Sequence, residues 1–201
     1  MKSLALALVT TLAATTTTNT PQPAPAFGSW GPINNGLRLS LSPTSSGRLS
    51  PVGAEFDVAV QNVGDSDVVV SIGAMLGNGR VMWPSAIRFA LSDSAGRTRE
   101  LGFFDRRYPG IAGRVDDFTV ALRSGSTYVL RLSLGHYSSP TTKEFELKLA
   151  NGHHRIEARF EGRGAQAVNS DTQGVALLNF WTGILRSNVL EFEVAGAVAQ
   201  Q

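Results

Sequence analysis

The chain has 201 residues, 42% of them hydrophobic and only 17% charged, with 21 glycines, 9 prolines, no cysteine and a formal net charge of +2. So little charge beside so much apolar material excludes a chain disordered over its whole length. The missing sulfur excludes a disulfide scaffold, a thiolate zinc site and a cysteine nucleophile, and a charge this near zero sets up no large field toward nucleic acid or anionic lipid.

Lys2 is followed by the apolar run Leu4 to Val9 and small residues through Ala14, the n-region and h-region order of a secretory signal. The run is too short to span a bilayer. Thr15 to Thr18 and the proline-rich stretch Pro21 to Ala26 come next, with Ala24-x-Ala26 as one cleavage site and a cut near Ala13 or Ala14 as another. A buried N-terminal helix is the alternative. The expectation is a signal peptide and leader over residues 1–26 and one extracytoplasmic domain, periplasmic or secreted, over 27–201.

From Leu37 onward the dominant period is two. Leu37, Leu39 and Leu41 alternate with Arg38 and Ser40, then Phe56, Val58 and Val60 with polar neighbours. Val68 to Ala74 is apolar on both parities, as a central strand covered on both sides is. Next come Ile87, Phe89 and Leu91, a strand over Thr98 to Phe104, Phe118 to Leu122, Tyr128 to Leu134, Phe145 to Leu149, Ile156 to Phe160 and Leu190 to Val194. Breakers stand between them: Asn62 to Asp65, Gly77-Asn78-Gly79, Ser94-Ala95-Gly96, Ser124-Gly125-Ser126 and Asn151-Gly152. About nine short antiparallel strands predict an all-β sandwich or barrel. A transmembrane barrel is disfavoured, because most runs are about five to eight residues where such a barrel needs about 9 to 11 with aromatic girdles.

Three stretches carry a resemblance. Leu122 to Leu130 is similar to the Leu-x-x-Gly-x-x-x-x-Leu step before a late strand of immunoglobulin-like and fibronectin-III-like modules in bacterial exported proteins. Leu147 to Phe160 resembles their Leu-x-x-Gly-x-Tyr-x-Ile corner, with His154 in the tyrosine's place. Trp181-Thr-Gly183 followed by Ser187-Asn188 and Phe192-Glu-Val194 looks like their closing strand. The resemblance implies an immunoglobulin-like antiparallel β-sandwich, with imidazole at position 154 bonding back to upstream backbone. Asn151-Gly152 as a two-residue hairpin turn is the competing local reading.

Little chemistry is legible. His153 and His154 point to opposite faces of a strand and do not converge on a metal, and no Gly-x-Ser-x-Gly elbow is present. Gly162 to Ala167 has the letters of a dinucleotide loop without the helix it needs, and reads as a flexible loop. Asn169 to Gly174 opens like a calcium loop, but Phe180 stands where the bidentate glutamate belongs. The least ordinary segment runs from Gly102 to Asp117. Phe103, Phe104, Arg106, Arg107 and Tyr108 combine the rigid aromatic area and guanidinium forks enriched in protein contacts, and are the candidate partner-binding residues. The bland alternative has these aromatics plugging one end of the sandwich. Trp83 and Trp181 read as packing groups more than as sugar platforms.

The expected function is a non-enzymatic protein-binding or structural module, whose partner is another extracytoplasmic protein. No catalytic residue, metal, cofactor, nucleic-acid partner or membrane span is expected. A peptidase inhibitor using an end loop and a carbohydrate-binding module using Trp83 or Trp181 are the alternatives.

Overall fold

The computed structural model describes residues 28–44, 54–76, 79–104, 115–140, 147, 149–164 and 179–194. The fold is all-β. Its strands are β1 (Leu37–Pro43), β2 (Glu55–Asn62), β3 (Val68–Leu76), β4 (Val81–Trp83), β5 (Ile87–Ser92), β6 (Thr98–Phe103), β7 (Val115–Leu122), β8 (Thr127–Ser133), β9 (Tyr137–Ser138), β10 (Gly152–Arg163) and β11 (Thr182–Val194). One 3₁₀ turn, Leu134–His136, joins β8 to β9. They form three antiparallel sheets, ordered β1-β2-β8, β11-β10-β5-β6-β9 and β4-β3-β7. No helix among the described residues is long and apolar enough to cross a membrane.

Alternation places one face of most strands in a single core. Leu37, Leu39 and Leu41 of β1, Phe56, Val58 and Val60 of β2, and Leu130 and Leu132 of β8 are buried on one sheet, and Phe89, Leu91, Ile156 and Phe160 on another. Phe56 joins the layers, with its ring centroid 6.3 Å from Phe89 and 6.1 Å from Phe192. Burying each such ring is worth about 2 to 3 kcal/mol. Val68 to Ala74 does become the central strand of its sheet, although Val68, Val69, Ser71, Gly73 and Ala74 are only half-buried. Leu149 is buried and lies in no strand, whereas Phe145 falls outside the described residues.

Two bulges carry information that the alternation hides. In β3 the register slips between Ser71 and Gly73, so Ile72 is the extra residue. A Cβ on Gly73 would lie 2.0 Å from the Trp83 carbonyl oxygen, so only glycine lets the chain turn past β4 there. In β11 the residues Ser187 and Asn188 together oppose Ala158. The buried parity accordingly changes from Leu185 and Ser187 before the bulge to Leu190, Phe192 and Val194 after it, partly or fully buried.

The strands β10 and β11 run 12 and 13 residues, longer than the alternating runs suggested. Their upper halves escape the pattern because Gly162 and Gly183 face each other in register. Trp181 lies across this pair: a Cβ at Gly162 would come 2.4 Å from the indole Cε3, and one at Gly183 would come 3.0 Å from its outer carbons. The flexible loop expected at Gly162 is therefore corrected to β10 strand, with glycine required by the ring. Strand length does not argue against a membrane barrel here; the described strands instead form three open sheets around a filled core.

The turns follow local chemistry. Asn35 (φ 44°) and Gly36 (φ 77°) make a two-residue reversal bonded in both directions between Asn34 and Leu37. Asp93 caps the β5–β6 turn, accepting from the backbone N–H groups of Ala95 and Arg97. That backbone bond to Arg97 leads the effects that hold the Asp93 carboxyl below its usual range.

Asn62 is the polar centre of one end. It is 1% exposed. Its Nδ2 donates to the carbonyls of Ser66 (2.9 Å) and Leu122 (3.0 Å), and its Oδ1 accepts from Gly64 N (3.0 Å). It thereby ties the β2–β3 turn to the end of β7. Asn62→Ala should lower the unfolding free energy by about 3 kcal/mol in urea titration, since buried carbonyls lose their donors. Asn62→Asp should not rescue it, because a carboxylate cannot donate. A loss below about 1 kcal/mol would contradict this role.

Candidate functional site

The end of β6 and the start of β9 assemble an aromatic cluster. Phe103 pairs with Tyr137 in register, and Phe104 N donates to the His136 carbonyl at 2.7 Å. The Phe103 ring stands edge-on to Trp83 (5.1 Å) and Tyr137 (5.4 Å), and Tyr137 continues the contact to Phe89 in the core (4.7 Å). Of the candidate binding residues, Phe103 is thus a half-buried plug against the core and Phe104 is half-buried beside it. Arg106, Arg107 and Tyr108 lie outside the described residues. The Tyr137 hydroxyl is buried with no hydrogen-bond partner, and burial pushes its ionisation far above the usual phenol range.

Beside this plug opens a cleft of about 360 Å³. Val81 and Met82 of β4 form one wall, four consecutive residues of β8 from Leu130 to Ser133 form the other, and Phe103 and His136 also line it. Met82 is 53% exposed. Glu55, Arg80 and Arg131 add charge to the lining. Arg131 is held across the β2–β8 ladder by Asp57, with Nε 3.1 Å from Oδ1. Sequence reasoning missed this cleft: β4 is three residues long, and nothing local shows that it faces β8.

The other residues singled out by sequence are placed plainly. His154 is 2% exposed, stacks on Phe192 at 5.5 Å and puts Nε2 2.8 Å from the Ala150 carbonyl, the upstream backbone contact expected of the corner. Residues 149–151 belong to no strand, which disfavours the hairpin reading. His153 is exposed on the opposite face. Trp181 is 4% exposed and donates from Nε1 to the Asn35 carbonyl at 3.0 Å, so it presents no face to a sugar. A smaller recess holds Ser71, Ser85, Asp117 and Glu161. Burial raises the Asp117 carboxyl above its usual range, and Asp116 adds to the effect. The segment Asn169 to Gly174 lies outside the described residues.

No family model matches the chain. No curated protein matches it either. Among solved structures it is similar to a β-glucuronidase of Bacteroides uniformis, at 12% identity over 77% of this chain and 13% of that one, with a TM-score of 0.32. A β-glucosidase of Listeria innocua gives 15% identity over 80% of this chain and 16% of that one, with a TM-score of 0.33. AvmM, which catalyzes macrocyclization in alchivemycin A biosynthesis, gives 12% identity over 84% of this chain and 94% of that one, with a TM-score of 0.36. The chain spans only 13% and 16% of the two glycosidases, and at these scores the likeness carries no argument.

Two substitutions test the electrostatics. Tyr137→Phe removes a hydroxyl that burial leaves unpaired, and should stabilise the fold by about 1 kcal/mol in chemical denaturation; a loss of similar size would show that the oxygen is bonded after all. Asp117→Asn should raise the melting temperature at neutral pH. A carboxyl whose ionisation is raised by folding weakens the fold only once it is charged, so the gain should vanish as pH falls below the unfolded carboxyl's range. A gain that persists in acid would overturn the burial assignment.

Proposed function

We propose that the protein is a non-enzymatic, extracytoplasmic binding module of immunoglobulin-like architecture that receives a segment of another protein in the cleft between β4 and β8. The observation that carries this reading is the cleft itself: Met82 stands exposed on its wall, and Phe103, Arg80, Glu55 and Arg131 share the lining. Exposed apolar area framed by charge is the makeup of a protein contact patch. Arg106, Arg107 and Tyr108 follow β6 directly in sequence. Export is supported by Lys2 and the apolar run Leu4 to Val9. A rigid β frame needs no titrating group to present such a surface.

The test is affinity capture from a periplasmic or culture-medium extract. Met82→Asp should cut recovery of the captured partner at least about tenfold, since a charge placed in an apolar contact costs more than about 1.4 kcal/mol. Ile184→Asp, at an exposed position on β11 (58% exposed), should leave recovery unchanged. Equal recovery by wild type and Met82→Asp, or no partner at all, would refute the proposal.

A further inference from the structure

Resting on that reading, we infer that the cleft takes its partner as an added β-strand along the outer edge of β8, an extended segment with an acidic side chain in register with Arg131. Among the described strands β8 pairs only with β2, and β4 only with β3, so the cleft runs between two strand edges. The phase of β8 can be read from the bonds that flank its ladder. Asn62 N donates to Ser126 O and Leu134 N donates to Ala54 O, both at even-numbered residues of the β8 side. In an antiparallel pair every second residue bonds to the partner, so Leu130 and Leu132 turn their backbone groups toward β2. Arg131 and Ser133 therefore turn theirs toward the cleft, where no described backbone group meets them. A strand edge in this state is a template for another extended chain.

Charge decides which chain. Asp57 engages Arg131 through Nε and Nη2, leaving further guanidinium N–H groups to donate. Arg80, exposed on the opposite wall, has no charged partner among the described residues. A second copy of β8 would set Arg131 against another Arg131, or against the uncharged Val129 and Ser133, and gain no opposite charge. An incoming strand with a carboxylate beside Arg131 repeats on the outer edge the pairing that Asp57 makes on the inner one. Its alternate apolar side chains would then lie over Phe103.

The probe is a capped octapeptide with the sequence of β2, Glu-Phe-Asp-Val-Ala-Val-Gln-Asn, which already matches β8 with an aspartate opposite Arg131. Residue-resolved amide exchange would be measured by NMR on the full chain with and without it. The Arg131 and Ser133 amides should slow about tenfold or more while those of Leu130 and Leu132 hold. Replacing the peptide's aspartate with lysine should weaken binding about tenfold, and Arg131→Glu should reverse that preference. Arg131 and Ser133 amides as protected as Leu130 before any peptide is added, an unmoved exchange pattern, or indifference to the aspartate would each overturn strand addition. Should Met82→Asp still abolish partner capture in that event, the cleft remains the binding site and only the mode fails; should it not, the cleft reading itself falls.

Discussion

Where one small sheet stops and the next begins, backbone donors and acceptors leave the ladder and still need partners. With three sheets of three, five and three strands, this fold has many such places, and side chains meet the demand. Asn188 lays its amide along β1, accepting from Leu41 N at 2.9 Å and donating to Leu41 O at 3.0 Å. It acts as one more peptide unit between β1 and β11. Ser187 accepts from Ala158 N at 2.9 Å, the donor the bulge would otherwise strand. Asn62 does the same at the β2–β3 turn, and Trp181 through its indole N–H at Asn35. The apolar core supplies the driving force for collapse, but these few buried or half-buried polar groups fix which strand lies against which.

The same constraint gives the cleft its meaning. The β11 edge is covered in places by side-chain amides, with Asn34 donating to Ile184 O at 3.0 Å, and β1 is met by Asn188. Edges treated in this way do not invite another chain. Along β8 between Leu130 and Ser133 the described residues offer no such cover, and the strand lines an open cleft with apolar Met82 and Phe103 beside it. Among the described strands some edges are blunted in this way while that of β8 lies open beside an aromatic plug, and the proposed strand addition draws on that contrast.

Much of the architecture was legible from alternation alone. Leu37 to Leu41, Phe56 to Val60, Ile87 to Leu91, Tyr128 to Leu132 and Ile156 to Phe160 all fall in strands with the expected face inward. The bulge at Ser187-Asn188 was visible only as a change of parity that a period-two reading passes over. The hairpin at Asn35-Gly36 has a signal in the residues themselves, an Asn-Gly pair directly ahead of the alternating run from Leu37. The short strands β4 and β9 have no signal of their own: three and two residues carry no period, and they exist because β3 and β6 offer an edge. Of the binding candidates, Phe103 and Phe104 are located, and Phe103 serves the core as well as the cleft.

Local sequence therefore determined the strand content, the inward faces and most turns, because a two-residue period and the preferences of Asn, Asp and Gly act within a few residues of chain. Only the tertiary structure decided that Gly162 and Gly183 are seats for Trp181, that Asn62 and Asn188 are buried substitutes for peptide groups, and that β4 and β8 face each other across an open cleft. Each of these depends on groups far apart in the chain being brought together in space, a proximity that no local pattern of side chains encodes.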